Sequence, residues 1–361
     1  MNPATGAAGS VGAPVAAATA GRCGRGVAAW LLACAGLVAA VLVVGGITRL
    51  THSGLSIVHW QPLSGALPPL GDADWAAQFA QYRDSPEFRL VHPSMTLAEF
   101  KPIFWWEYSH RLLGRVAALV FAGPLIWFAA TGRIDRRLGG RLAGILALGA
   151  LQGALGWYMV ASGLVDDPRV SPLRLAAHLG MALLLIALLL WSAWSVRSAR
   201  QRRQQPPAAL PALAAATVLL MALSGALVAG THAGLVFNSF PLMDGQLIPM
   251  DLLRVQDPDA GLLGNLAAVQ FLHRVLAVLV VIVVGALCWR LRAGAPAIGR
   301  ATPLLLAGAL TLQVSLGIAT LLSGVALPLA AAHQAGAVLL FGATLWAAFQ
   351  WRRAPRSTRP S

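Results

Sequence analysis

Long apolar runs with at most one charged residue recur along this chain. Each run has about 18 to 25 residues, enough for an α-helix to cross the ~30 Å hydrocarbon core of a bilayer. Strands of a membrane β-barrel would alternate apolar and polar residues, and these runs do not. Only 11% of the residues are charged, whereas a soluble domain has roughly 25%. The sequence therefore predicts an all-α integral membrane protein with eight transmembrane helices, over residues 27–48, 112–130, 142–163, 175–196, 210–230, 268–289, 302–323 and 328–351.

The net charge of +14 is distributed unevenly along the chain. If both termini are cytoplasmic, most of the 27 basic residues lie on the cytoplasmic side, and Asp135 is the one acid there. This is the positive-inside pattern of membrane proteins. The basic charge thus predicts a topology and does not indicate nucleic acid as a partner.

Short segments of the first half resemble segments of the second half in the same order. Because each unit has an even number of helices, both copies insert with the same orientation. The sequence therefore predicts two tandem four-helix bundles related by a pseudo-two-fold axis along the membrane normal. The matching segments are ITRLTHSGL with LVAGTHAGL, EYSHRLLGRVAAL with QFLHRVLAVLVVI, LQGALGWYMVASGL with LQVSLGIATLLSGV, and LAAHLGMALLL with AAAHQAGAVLL.

The repeat also divides the chain into segments. A tail rich in Ala and Gly, with no acid, is expected to be disordered and cytoplasmic. A basic linker with adjacent prolines joins the two halves on the same side. The predicted boundaries are 1–26 for the tail, 27–196 for the first half with a long outer loop over 50–110, 197–209 for the linker, 210–351 for the second half and 352–361 for the C-terminal tail.

Four histidines are matched by the repeat, His110 with His273 and His178 with His333. All four are expected near the outer ends of helices two, four, six and eight, where polar side chains are costly and usually functional. Two neutral imidazoles from facing helices, flanked by small residues, could hold a haem iron axially. An interhelical hydrogen bond is the alternative for any single one of them. Zinc fits less well because structural sites usually cluster four nitrogen or sulfur ligands.

Three arginines follow these histidines closely. Arg111 and Arg274 each come directly after a histidine, and Arg115 lies one helical turn beyond Arg111. A guanidinium at the outer boundary can pair with a haem propionate. It can equally extend to the lipid headgroups, and the sequence leaves both interpretations open.

The remaining histidines are expected in the outer segments. His52 and His232 follow helices one and five, where they could cover a haem edge, contact propionates or form interfacial hydrogen bonds. His59 and His92 have no repeat partner, and we expect them to be solvated.

The two halves differ at one position next to the histidines. Glu107 precedes His110 by three residues, so both project toward one helix face, and the matching residue in the second half is Gln270. A carboxyl beside a cofactor could donate or accept protons. The alternative is a carboxylate that stabilises the helix start through the helix dipole.

The segment EFKPIFWWEYSHRLLGR, together with the three other spaced histidines, resembles the haem A synthase family, in the branch shared by proteobacteria and mitochondria. The resemblance implies an enzyme that oxidises the C8 methyl group of haem O to a formyl group by successive hydroxylations. It implies that His110 and His178 hold the substrate haem, and that His273 and His333 hold a haem b cofactor. It also implies that Glu107 is required for activity. Trp106 belongs to this segment and could line the substrate pocket.

The same resemblance implies partners and a location. Expected partners are haem O, the haem O synthase that precedes it, membrane lipid, an unidentified electron acceptor and a second copy of the chain. The expected location is the bacterial inner membrane, with the haem sites toward the outer side. Some bacterial relatives carry a cysteine pair in the first outer loop, which this chain lacks.

Other functions remain as alternatives. A di-haem cytochrome that only transfers electrons would usually place haems on both sides of the membrane, and it would not require Glu107. A transporter with parallel repeats would have broken helices with polar groups near the membrane centre. Haem O synthase is disfavoured because no pair of aspartate-rich helices is present to bind a diphosphate through Mg²⁺.

Overall fold

The computed structural model describes residues 12–61, 64–165, 167–198, 208–253, 261–294 and 298–353. Within these ranges the chain forms α-helices joined by loops and short 3₁₀ turns, with no β-strand. The α-helices are α1 (Gly12–Leu50), α2 (Asp72–Arg83), α3 (Pro86–Leu90), α4 (Leu97–Ala130), α5 (Arg136–Ala161), α6 (Pro172–Arg197), α7 (Ala209–Thr231), α8 (Leu266–Gly294), α9 (Ala301–Leu322) and α10 (Leu327–Arg353).

Eight of these helices, α1 and α4 through α10, are long and apolar enough to cross a membrane. The predicted all-α, multi-pass membrane architecture is therefore confirmed. Large apolar side chains point away from the helix bundle, among them Leu119, Ile282 and Leu339, which are 72%, 61% and 63% exposed. Such a surface is suited to a hydrocarbon environment.

Two helices begin earlier than the hydropathy pattern indicates. Helix α1 begins at Gly12, within the predicted tail, because residues 16–20 are rich in alanine, the strongest helix former. Its apolar span begins at Gly24. The predicted boundaries that fall on residues 1–11, 199–207 and 354–361 lie outside the described residues.

Helix α4 begins at Leu97, well before the predicted span over 112–130. The Thr96 side chain accepts a hydrogen bond from the Glu99 backbone N–H, and the Glu99 carboxylate accepts one from the Thr96 N–H. This reciprocal cap satisfies backbone donors at the helix start. As a result, Glu107 and His110 lie inside α4 and not at its first turn.

The outer segment of the first half packs an aromatic cluster against the outward extension of α4. The buried members are Trp75 and Tyr82 of α2 and Phe100, Phe104 and Tyr108 of α4. The cluster fixes α2 and α3 beside the part of α4 that carries Glu107.

The two halves share one apolar core. It combines Leu183 of α6 with Val218 of α7, Val284 of α8 and Leu340 of α10, all at most 3% exposed. Helix α1 contacts α4 and α6 of its own half and also α10 of the other half. The halves are therefore packed against each other along their length and are not separate bundles.

Candidate functional site

The four repeated histidines lie on four different helices, His110 on α4, His178 on α6, His273 on α8 and His333 on α10. His110 and His178 come within electrostatic range of each other, as do His273 and His333. The fold therefore brings the two histidines of each half near each other.

One histidine of each pair has its Nδ1 atom bonded to the neighbouring helix. Nδ1 of His110 lies 3.1 Å from the carbonyl oxygen of Val41, and Nδ1 of His273 lies 2.7 Å from the hydroxyl of Ser224. An Nδ1–H donated in this way fixes the ring and leaves the Nε2 lone pair free for a metal. Both rings are thus oriented as axial ligands would be.

The other histidine of each pair carries an unsatisfied polar atom. Nδ1 of His178 and Nδ1 of His333 are buried, with no hydrogen-bond partner among the described residues. Nε2 of His178 has only a long contact of 3.4 Å, to the side-chain amide of Gln152. Buried polar atoms are usually satisfied, so such an atom calls for a bound group or water. Each half thus has one imidazole anchored through Nδ1 and one with an unsatisfied nitrogen, and such a pair fits a bis-histidine haem.

A glycine of the adjacent helix lies against each imidazole. A Cβ atom on Gly45 would stand 2.6 Å from Cε1 of His110, and one on Gly225 would stand 3.3 Å from Cε1 of His273. The corresponding distance is 2.8 Å for both Gly156 to His178 and Gly317 to His333. These four glycines, which we call the glycine seats, occupy matching positions in the two halves. They let each ring approach the neighbouring backbone more closely than any side chain would allow.

Glu107 is buried in a set of charge and hydrogen-bond partners. Its Oε2 accepts from the Ser56 hydroxyl at 2.7 Å and from the Ile57 backbone N–H at 2.8 Å. Its Oε1 accepts from Arg111, at 3.0 Å from Nε and 2.6 Å from a terminal nitrogen. The carboxylate side chain is 3% exposed. Because Glu107 lies beyond the first turn of α4, the alternative that it stabilises a helix start does not apply.

The matching position in the second half carries an uncharged amide beside the matching arginine. The Gln270 side-chain nitrogen donates to the carbonyl oxygens of Ala233 and Phe237, and its oxygen accepts from Arg274 at 3.3 Å. Arg274 also donates to the backbone carbonyls of Phe237 and Ser239. The arginine partner is therefore common to both halves, and the carboxylate is specific to the first.

A cavity of about 350 Å³ opens beside this carboxylate, between α4 and the outer segment. Arg111, Arg115 and Tyr108 line it on the α4 side. Arg115 donates to the carbonyl oxygen of Gln61 at 2.8 Å. Two guanidinium groups facing one cavity could bind carboxylates such as propionates.

The remaining predicted pocket residues lie at the outer end. His52 and His232 both have positive φ values, and their rings are parallel with centroids 6.3 Å apart. Matching residues of the two halves therefore meet, and neither has a described contact with the haem-ligand candidates. Trp106 is 38% exposed.

The prediction of solvated outer-loop histidines is correct for one of the two. His59 is exposed, but His92 is half-buried, and its Nδ1 lies 3.1 Å from the Tyr82 hydroxyl. The expectation for His92 is wrong because the aromatic cluster, which hydropathy does not reveal, covers it.

Comparison with known proteins identifies the group to which this fold belongs. Residues 28–345 match the model of a family described as cytochrome oxidase assembly proteins. A haem A synthase of Nitrosospira multiformis is 47% identical over 334 residues, which cover 91% of this chain and 94% of the relative. One of Rhodospirillum centenum is 45% identical over 96% of this chain and 91% of the relative, and one of Methylobacterium radiotolerans is 49% identical over 84% of each.

This chain belongs to the haem A synthase family. The resemblance that began with the α4 segment and its histidines thus extends over most of the chain. In this member of the family, the sequence pattern did not reveal Ser56 as a partner of Glu107, nor the glycine seats. The sequence does contain a signal for the glycine seats. When the two repeats are aligned, Gly45 matches Gly225 and Gly156 matches Gly317.

Each glycine seat can be tested by replacing that glycine alone and measuring the haem that the protein binds. Replacing Gly156 or Gly317 with alanine should displace the imidazole of His178 or His333, because the new Cβ would lie 2.8 Å from its Cε1. We expect haem bound per protein to fall by about tenfold or more, the scale of an outer-shell change around a metal ligand. Gly149→Ala in α5 and Gly308→Ala in α9 are matched controls, since no atom lies within 4 Å of either new Cβ. Equal haem content in seat and control variants, measured by absorption of the purified proteins, would contradict the seat assignment.

Proposed function

We propose that this protein is a haem A synthase that oxidises the C8 methyl group of haem O to a formyl group, by successive hydroxylations, for cytochrome oxidase assembly. The observation that carries the proposal is the pairing of a buried carboxylate, Glu107, with a histidine pair in the first half only. The second half has the same histidine pair with an amide, Gln270, in the matching position. A half that only holds a cofactor needs ligands, whereas a half that reacts also needs a group that can move protons.

In the proposed reacting half, His110 and His178 bind the iron of haem O. The Val41 carbonyl holds the His110 ring in the orientation that presents Nε2. Glu107 accepts and releases protons as the methyl group is oxidised, and Ser56 and Ile57 hold its carboxylate in place. Arg111 compensates its charge, and Arg111 and Arg115 face the cavity where propionates would bind.

In the proposed cofactor half, His273 and His333 hold haem b. A haem there supplies a one-electron carrier between the substrate and an electron acceptor. Ser224 fixes the His273 ring, and Gly317 leaves room for the His333 ring. The shared core packs α6, α8 and α10, the helices that carry His178, His273 and His333, against one another.

The proposed setting is the bacterial inner membrane, with both termini cytoplasmic and the haem sites toward the outer side. The exposed apolar faces of the helices support contact with lipid. Haem O would arrive from haem O synthase. A second copy of the chain and the electron acceptor are the other proposed partners.

Extraction of haems from the purified protein tests the function. The chain would be produced in cells that make haem O but have no other source of haem A, and the haems would be identified by mass. We expect haem A or hydroxylated haem O together with haem b. Haem b alone would instead favour the di-haem cytochrome, and a protein without haem would exclude both functions. Cells without haem O provide the control, in which no haem A should form.

A further inference from the structure

A second buried carboxyl lies outside the histidine pairs, in the outer segment of the first half. Glu87 belongs to α3, whose start is capped by the Ser85 hydroxyl accepting from the Phe88 N–H. The residue is only 5% exposed. Its Oε2 is buried with no hydrogen-bond partner, and no cation pairs with it among the residues that the structure describes. A buried acid without a compensating charge is costly and is often functional.

The surroundings of Glu87 favour its protonated form near neutral pH. Burial is the main cause and the negative charge of Glu107 the second, and together they raise the pKa of Glu87 to about 7. The Tyr82 hydroxyl opposes this rise as a hydrogen-bond donor. The charge of Glu107 thus reaches Glu87 across the aromatic cluster, whereas Arg111 compensates Glu107 itself. The two carboxyls are held in different environments, a common arrangement where protons are exchanged.

Tyr82 and His92 connect Glu87 with the outer surface of the protein. The Tyr82 hydroxyl, on α2, lies beside Glu87 and 3.1 Å from Nδ1 of His92. His92 is half-buried, and its pKa is lowered, first by burial and then by the charge of His52. A neutral imidazole at this position can take up a proton on Nδ1 and release one from Nε2 to water. Three titratable groups, Glu87, Tyr82 and His92, therefore follow one another from the interior to the edge of the outer segment.

We propose that Glu87 is a relay residue that carries protons from the first half to the outer surface through Tyr82 and His92. The inference rests on the proposed function, since oxidation of a methyl group releases protons that must leave a buried site. In the outward step, the Glu87 carboxylate takes up a proton that the reacting half has released. Protonated Glu87 then donates to the Tyr82 oxygen while the Tyr82 hydroxyl proton moves to His92. Glu87 returns to its carboxylate form, and the charge gained by His92 is lost when it releases a proton to water.

The relay is confined to the half that is proposed to react. Helices α2 and α3, which carry Tyr82 and Glu87, belong to the long outer segment of the first half. The described part of the second half's outer segment has 3₁₀ turns in place of these helices, and no buried acid. A purely structural segment would not need an acid at its centre in one half only.

Glu87→Gln and Tyr82→Phe test the relay in the intact protein with its haems. Both changes preserve side-chain size and remove one proton-transfer group each. We expect each to slow haem A formation by about tenfold or more, within the range of a lost proton-transfer group, with haem content unchanged. Tyr158→Phe is the control, because this tyrosine lies on α5, outside the aromatic cluster and the cavity, and is 50% exposed. That variant should retain the wild-type rate.

A readout independent of turnover separates a relay from a structural role. Infrared difference spectra between acidic and alkaline pH should show a carboxyl that titrates near neutral pH, and Glu87→Gln should abolish that signal. The rate profile around pH 7 should flatten in the same variant, and a small diffusible acid such as formate should restore part of the rate.

Specific outcomes would overturn the relay. A full rate with the wild-type pH profile in Glu87→Gln would do so, as would equal slowing in Tyr82→Phe and Tyr158→Phe. If Glu87→Gln loses its haems through misfolding, Tyr82→Phe and the infrared spectrum of the wild type decide the question. If the wild type makes no haem A, the proposed function fails, and the infrared signal still tests the titration of Glu87.

Discussion

Glu107→Gln is expected to abolish haem A formation while leaving both histidine pairs able to bind haem. The amide cannot carry a proton, so the rate should fall by about 100-fold or more. Its single oxygen can still accept from Arg111, as the Gln270 oxygen accepts from Arg274 in the second half, but the bonds that Ser56 and Ile57 make to the other carboxylate oxygen are lost. Haem A and haem O would be measured by mass in membranes that contain equal amounts of each variant.

The second half provides the control for this change. Gln270→Glu places a carboxylate beside Arg274, which is the arrangement of the first half. We expect that variant to keep producing haem A, because the proposed chemistry takes place at the other histidine pair. Full activity in Glu107→Gln, or loss of activity in Gln270→Glu with both haems retained, would refute the assignment of the reacting half.

Alanine replacements of the four histidines should remove different haems. His273→Ala and His333→Ala are expected to lose haem b, and His110→Ala and His178→Ala to lose bound haem O. Removal of an axial ligand should lower haem affinity by more than the 10–100-fold typical of outer-shell changes around a metal. The haem type that remains in each purified variant would be identified by mass and by its absorption spectrum.

His59→Ala is the control for the histidine series, since its side chain is exposed at the outer segment. It should retain both haems. The interpretation fails if all four variants lose the same haem or if none of them loses any. Loss of both haems in one variant would be resolved by the glycine-seat variants, each of which retains all four histidines and displaces one imidazole.

Hydropathy predicted the eight spans, and internal repetition predicted which histidines match. Both patterns can be recognised within single helical segments, without knowledge of tertiary contacts. A run of apolar residues needs no tertiary contact to indicate a membrane helix. The Glu107–Arg111 pair has the spacing of neighbours on a helix surface and could also have been predicted from the sequence. The sequence left a propionate and the lipid headgroups as partners of Arg111, and the structure adds Glu107 to these.

The remaining features depend on contacts between distant segments. Glu87 appears in the sequence as one acid in a polar loop, and its burial arises only when α3 packs against Tyr82 and the outward extension of α4. The start of α4 at Leu97 was missed because its outer turns are covered by protein and need no continuous apolar run. The glycine seats were missed because a glycine in an apolar helix has many uses, and the imidazole that requires it lies on another helix.

The core shared by the two halves has a consequence for how they came to differ. A single four-helix unit would leave the face that carries Val218, Val284 and Leu340 uncovered, so such a unit would need to pair with a copy of itself. In a pair of identical subunits, any residue placed at one site also occupies the other. Joining the units in one polypeptide removes that restriction, so that one copy can hold glutamate where the other holds glutamine. The covalent connection therefore allows a division of labour that a symmetric dimer cannot have.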